Sequence, residues 1–344
     1  MMNKKILALA IAGVIAAPIA AQADVKVYGK ASVETGSIDS GGETKTLQGD
    51  PAEQQGPRSR LGVLATEDLG NGLTGIAKAE FQYDPSDNAR FDAVTDVITA
   101  SDGETTATVT TTKGSPFTGR DSFVALKGGF GLIGFGRFNG VYKTHGGVKY
   151  DPWVTTSMQA RFNGGMASGP LANSSFINGL VVYQTPNLGP TQITAAYVVD
   201  EGTGYDGSYQ LGAKLNFGQN VEAIASYSHL DPVDDGDNWK IGAKFKAGPA
   251  TITTQYEDVE VGGFDGTGEF LYASAKLDFG KVSIIPALGQ FSGDESNSDA
   301  DYVAIGAMYN FSKMTKGWVG YRDTNADKDE KDETATTIGL RMDF

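Results

Sequence analysis

The strongest constraint on this chain is a period of two that recurs almost from end to end. In 207–217, Tyr209, Leu211, Ala213, Leu215 and Phe217 alternate with Gln210, Gly212, Lys214 and Asn216. In 239–246, Trp239, Ile241, Ala243 and Phe245 alternate with Lys240, Gly242, Lys244 and Lys246. Successive side chains of a strand point to opposite faces, so each such segment predicts a strand with one apolar and one polar face. The pattern gives about sixteen strands: 24–36, 57–68, 73–83, 119–127, 131–138, 178–185, 190–199, 207–217, 221–230, 238–246, 250–257, 269–279, 281–291, 302–311, 317–323 and 334–344. Segments 119–138 and 178–185 are apolar on both faces, and Pro286 interrupts 281–291.

The connectors alternate as well. "LGNG" (69–72), "GQN" (218–220), "AGP" (247–249) and Gly280 are short and carry the Gly and Asn of tight hairpins. Between them lie the longer 37–56, 84–118, 139–177, 200–206, 231–237, 258–268, 292–301 and 324–333, which hold most of the 42 acidic residues. All short turns therefore fall at one end of the sheet and all long connectors at the other.

A soluble sandwich and a transmembrane barrel both use period-two strands. Sandwich strands average about 5–6 residues, whereas a tilted membrane crossing needs about 9–11. Most segments here run to nine or more. Aromatics stand near the ends of the apolar rows, at Tyr209 and Phe217, Trp239 and Phe245, Tyr309 and Phe311, as in interfacial girdles. The expected fold is an all-β transmembrane antiparallel barrel, because a sheet in hydrocarbon must close on itself.

A barrel of about sixteen strands is too wide for side chains to fill, so its polar rows line water. A cation facing lipid at mid-depth costs about 2–4 kcal/mol. Lys30, Arg60, Lys78, Glu80, Arg137, Lys214, Lys244 and Arg341 are therefore expected inside. Leu61, Val63, Phe81, Leu215 and Phe245 are expected outside. The connector 139–177 differs from its neighbours: its one acid is Asp151, beside Lys143, Lys149 and Arg161, with Tyr142, Tyr150, Trp153 and Phe162. Either it folds back into the channel and packs on the wall, or it covers a neighbouring subunit.

Residues 1–23 have the layout of a cleaved secretory leader: Lys4 and Lys5, an apolar run from Ile6 to Ala17, then Ala21-Gln22-Ala23. Residues 24–344 form a single expected domain. The chain has no cysteine and two histidines, His145 and His229, without motif spacing, so no metal or other cofactor is expected. "DPVDDGDN" (231–238) misses the spacing of a calcium loop. A formal charge of −14 argues against nucleic acid as a partner. No GxSxG elbow is present, and no enzymatic chemistry is expected.

The stretches "DVKVYGKASVE", "SRLGVLATEDLGNGLTGIAKAEFQY" (59–83), "GRDSFVALKGGFGLIGFGRFNG" (119–140) and "VVYQTPNLG" (181–189), with the terminal Phe344, resemble the general diffusion porins of the Gram-negative outer membrane. The resemblance implies a sixteen-stranded trimeric barrel with short periplasmic turns, long external loops and a third external loop, 139–177, that forms a constriction. It implies wall cations at Arg60, Arg120 and Arg137, and it makes the terminal aromatic a signal for outer-membrane assembly. Two departures stand out. The loop carries Asp151 alone where the family sets acids against the wall, and Val182 precedes Tyr183 where relatives often carry a basic residue.

The expected function is a passive channel for ions and small hydrophilic solutes, set among outer-membrane lipid and lipopolysaccharide. Its eyelet is expected to favour anions through Arg60, Arg120, Arg137, Lys143, Lys149 and Arg161, with Lys78, Glu80 and Asp151 also at the constriction. The alternative is a barrel-anchored surface protein whose acidic loops bind a host or phage partner. The final row, Ile338, Leu340, Met342 and Phe344, is expected to face lipid on a strand that closes against the first.

Overall fold

The computed structural model describes residues 23–344 except 41–42, 50–57, 86–94, 102–105, 113–116, 170, 175, 200–201, 203, 232–235, 262–265, 297 and 328–331. The expected leader lies outside the described residues, apart from its last position.

The chain forms β1 (Asp24–Ser40), β2 (Glu43–Gly49), β3 (Ser59–Gly70), β4 (Leu73–Tyr83), β5 (Thr95–Ser101) and β6 (Thr106–Thr112). Then come β7 (Thr118–Gly128), β8 (Gly131–Asn139), a short helix α1 (Val141–Thr144), β9 (Phe176–Gln184), β10 (Thr191–Val198), β11 (Tyr209–Phe217) and β12 (Val221–Leu230). The last seven strands are β13 (Gly236–Ala247), β14 (Ala250–Val259), β15 (Gly268–Phe279), β16 (Val282–Gly293), β17 (Ala300–Asn310), β18 (Thr315–Ala326) and β19 (Glu333–Asp343). Sixteen of these strands make a closed antiparallel barrel, each paired with its neighbours in the chain.

Closure falls between the first strand and the last. Lys30 to Ser40 of β1 pair with Asp343 to Glu333 of β19, and Asp24 to Lys30 pair on the other side with β3. Phe344 continues this seam, exchanging backbone hydrogen bonds of 2.8 and 3.0 Å with Gly29. A sheet edge is not tolerated in lipid, and here no edge of the barrel is left open.

Three strands had no sequence signal. β2 extends the β1 ladder, and β5 with β6 forms a separate hairpin within the connector 84–118. Segments such as "TATVTTT" are rich in β-branched residues, but the apolar row is only Ala107 and Val109, too short for periodicity to reveal the strand. The short turns behave as their residues dictate: Asn71 and Gly72, at φ 52° and 76°, form the two-residue link between β3 and β4.

The alternation maps onto two faces. Leu215 is partly exposed, and Val27, Phe81, Leu211, Ile241, Phe245, Ile338, Leu340 and Met342 are exposed on the outside. Lys30, Gln210, Lys240 and Thr337 are buried on the inside. Pro286 has no N–H to give, and the ladder between β15 and β16 lapses across Ile285 and Pro286.

Candidate functional site

The described residues of the connector 140–175 lie inside the barrel, the first of the two placements that the aromatic content of 139–177 left open. It is hydrogen-bonded to the wall at many points. Gln210 on β11 donates to the Leu171 carbonyl (2.5 Å), and Lys240 on β13 to Asn173 Oδ1 (2.5 Å). The Tyr142 hydroxyl donates to Glu257 on β14 (2.9 Å), and the Trp153 indole to the Ile285 carbonyl (3.2 Å). Tyr302 on β17 donates to the Met158 carbonyl (2.5 Å), and Glu34 on β1 accepts from the Ser157 hydroxyl (2.7 Å).

Packing follows the same path. Tyr150, Trp153, Met158 and Met166 of the loop form one buried cluster with Tyr272, Ile285, Tyr302 and Trp318 of the wall. Val141 and Leu171 form another with Leu180, Val182, Val198 and Leu230. The second cluster explains why 178–185 reads as apolar on both faces: one face meets lipid and the other meets the loop. Each large side chain so buried contributes about 1.5–3 kcal/mol. Glycines in the inner row make room: a Cβ on Gly212 would stand 2.7 Å from His145, and one on Gly306 2.7 Å from Trp153.

The loop thus covers the wall from β9 round to β1 and leaves the side of β3, β4 and β7 open. There a cavity of about 270 Å³ remains. Lys30, Arg60, Arg120 and Arg341 line it from the strands; Arg58, Lys143, Lys149 and Arg161 line it from the connectors. Among the described residues, no acid lines it.

The acids of this wall are consumed within it. Glu80 accepts from Arg120 Nε (2.5 Å) and the Tyr28 hydroxyl (2.9 Å), with Arg60 and Lys78 each at 3.8 Å. Asp121 takes Lys78 (2.6 Å) and the Asn139 side chain (2.8 Å). Among the described residues, Lys143 and Arg161 of the loop hold neutral partners. Lys143 donates to the Ser174 carbonyl (3.3 Å) and stands 3.7 Å from the centre of the Phe176 ring. Arg161 donates to Gln159 (2.8 Å) and to the Asn173 carbonyl (3.2 Å). Burial, with repulsion from Arg161, Arg120 and Arg58, drives the Lys143 ammonium well below the usual lysine range. Arg161 is lowered in the same way, by burial first and by Arg58 next.

Of the expected constriction residues, Arg60, Arg120, Lys143, Lys149 and Arg161 meet at the cavity, while Lys78 and Glu80 stand behind Arg120 in the wall. Two lie elsewhere. Asp151 is buried within the loop, accepting from the Trp153 and Ala160 amides (2.8 and 2.9 Å) and the Tyr272 hydroxyl (3.2 Å). Its role is to fold the loop, and burial raises its pKa above the ordinary aspartate value. Arg137 pairs across the ladder with Ser122, in the row of Val124 and Phe135, which are 58% and 50% exposed. It donates to Asn178 (2.5 Å) and does not reach the cavity. Arg137 stands two residues after Phe135 on an unbroken ladder with β7, so strict alternation gives it the same outward face; the register shift between Gly136 and Phe138 falls on the β9 side. Lys30 and Arg341 were legible from parity as inward residues but not as cavity residues. Arg58, beside the start of β3, had no signal beyond its nearness to Arg60.

A closed sixteen-stranded barrel with an apolar outer surface, an internal loop and a charged residual lumen is a transmembrane channel of the porin kind. The family model for Gram-negative porins matches residues 8–329, and the chain belongs to that family. It is 28% identical to the major outer membrane protein P.IB of Neisseria meningitidis serogroup B, across the whole of both chains. The counterpart from Neisseria lactamica is also 28% identical over the full length of both. Among solved structures, an anion-selective porin from Comamonas acidovorans superposes with a TM-score of 0.71 at 20% identity, covering 94% of this chain and all of that one. Salmonella typhi OmpF gives 0.68 at 16% identity, covering 94% and 98%. The protein is a passive channel of the Gram-negative outer membrane, and its family is one of channels rather than enzymes.

Proposed function

We propose that the cavity between the loop 139–177 and the β3–β7 wall is the narrowest aqueous passage through the barrel, and that it favours anions. The observation that carries this reading is that, among the described residues, eight cations and no acid line it. In a narrow pore the ring of local charge selects, whatever the sign of the whole chain. An anion entering the cavity relieves the mutual repulsion of Lys143, Arg161 and Arg58. The fold-level likeness to a porin described as anion-selective agrees with this sign. The test is the reversal potential of purified protein in a planar bilayer under a salt gradient. Anion preference is expected, and clear cation preference would sink the reading.

The chain is further proposed to work as a homotrimer. On the outside of β3, β4 and β7, Ala65, Ala77, Ala79 and Ser122 make a recess of about 440 Å³ edged by Val63, Val124 and Phe135. Small residues allow close approach of another backbone. The polar Arg137–Asn178 pair lies on the neighbouring strands, where cover by protein is less costly than lipid. A structural neighbour, OmpT of Vibrio cholerae, is described in trimer form. The remaining apolar belt is assigned to outer-membrane lipid, the long acidic connectors to the lipopolysaccharide level, and residues 1–23 to the export leader.

A further inference from the structure

Taking the cavity as the passage, we infer that Lys30 sets its width through a bridge to Thr155, and supplies part of its charge preference. Nothing in the sequence pattern separates Lys30 from other inward cations; its placement does. The side chain leaves β1 and its ammonium donates to the Thr155 hydroxyl at the loop tip, at 2.8 Å. Both residues line the cavity, yet Lys30 is only 1% exposed. Its aliphatic stem therefore fills the gap between seam and loop tip, and solute is confined to the Arg60–Arg120 side.

The bridge is made under tension of two kinds. Thr155 is β-branched and stands at φ 64°, a left-handed conformation such residues seldom adopt. Lys30 faces Arg60 across one ladder and Asp343 across the other, and Asp343 is already engaged by Arg341 at 2.6 and 2.8 Å. Thr155 is its only side-chain hydrogen-bond partner among the described residues. Without that hydroxyl, repulsion from the surrounding guanidinium groups is opposed only by Asp343, which Arg341 already holds, and the bridge opens. Two residues further along the tip, Ser157 is held separately by Glu34, so losing the Thr155 hydroxyl does not unseat the loop.

Neutral solutes separate width from charge. The test compares swelling of liposomes carrying purified protein in a neutral trisaccharide and in a neutral pentose, alongside reversal potentials. Barrel integrity is checked by resistance to detergent unfolding before heating. Lys30→Met should raise the trisaccharide-to-pentose ratio by at least about twofold and lower the anion-to-cation permeability ratio by a similar factor, since a few lining groups set both. Thr155→Val keeps every charge and the side-chain shape; it should raise the sieving ratio as Lys30→Met does and lower the permeability ratio by less than Lys30→Met. Thr155→Ser keeps the hydroxyl and should match the parent. Wild-type sieving in both Lys30→Met and Thr155→Val overturns the inference, as does Thr155→Ser behaving like Thr155→Val. A parent channel without anion preference would instead overturn the reading of the cavity and leave the sieving comparison standing.

Discussion

The carboxylate of Glu34 accepts the hydroxyl of Ser157 at 2.7 Å, joining the first strand of the barrel to the tip of the loop in its lumen. It also takes the Ser157 amide (3.0 Å), the Trp318 indole (3.4 Å) and the Thr337 hydroxyl. One buried anion with neutral donors thus ties together β1, β18, β19 and the loop. It acts where the barrel closes.

Replacing Glu34 by Ala leaves those donors buried without an acceptor, at about 1–3 kcal/mol for each group left unsatisfied. Glu34→Ala should lower the thermal midpoint and increase open-channel noise as the loop tip loosens. Glu34→Gln keeps acceptor capacity through its amide oxygen and should fall between the two. Calorimetry and single-channel recording on the purified protein check both effects. An unchanged midpoint in Glu34→Ala would show that the carboxylate holds nothing.

How far the fold was legible depends on which face of a strand is considered. The outer face meets one uniform solvent, so rows such as Leu211, Ala213 and Leu215 announce themselves by period alone. The inner face meets water in one place and the loop in another. Leu180, Val182 and Val198 are apolar because Val141 and Leu171 cover them, and that depends on contacts far apart in the sequence. The same holds for the site. Parity assigned Arg60 and Lys30 to the interior. It could not assign Asp151 to the loop's own core. Arg137 is expected inside because a cation facing lipid is costly, yet it shares the parity of the outward Phe135.

Arg120 and Glu80 form the closest ion pair of the cavity wall, at 2.5 Å, with both side chains almost wholly buried. Removing one partner of such a pair leaves the other uncompensated. Arg120→Gln therefore subtracts a cation and also unmasks the Glu80 carboxylate. Its reversal potential should move further toward cation preference than that of Lys149→Gln, which removes a cation alone. Adding Glu80→Gln to Arg120→Gln should recover most of the difference. A double-mutant cycle on reversal potentials measures this coupling, and equal shifts for Arg120→Gln and Lys149→Gln would remove the pair from the account of selectivity.

His145 lies in the loop against Gly212, its Nδ1 3.1 Å from the Val141 carbonyl. Burial is the main cause that lowers its pKa from 6.5 to about 4; the Val141 carbonyl and Glu222 oppose this, while Lys214 and Lys240 add to it. The folded protein thus prefers the neutral ring. Above pH 6.5 neither folded nor unfolded chain protonates it, and its full contribution to stability is present. As pH falls toward 4 the unfolded chain takes up a proton that the folded chain refuses, and stability is lost across that window, by about 3 kcal/mol at most for this group. The midpoint of thermal unfolding should therefore fall between pH 6.5 and 4 by more in the parent than in His145→Gln, which has nothing to protonate. Parallel curves for the two proteins over that range would mean that the imidazole is not held neutral by its seat in the loop.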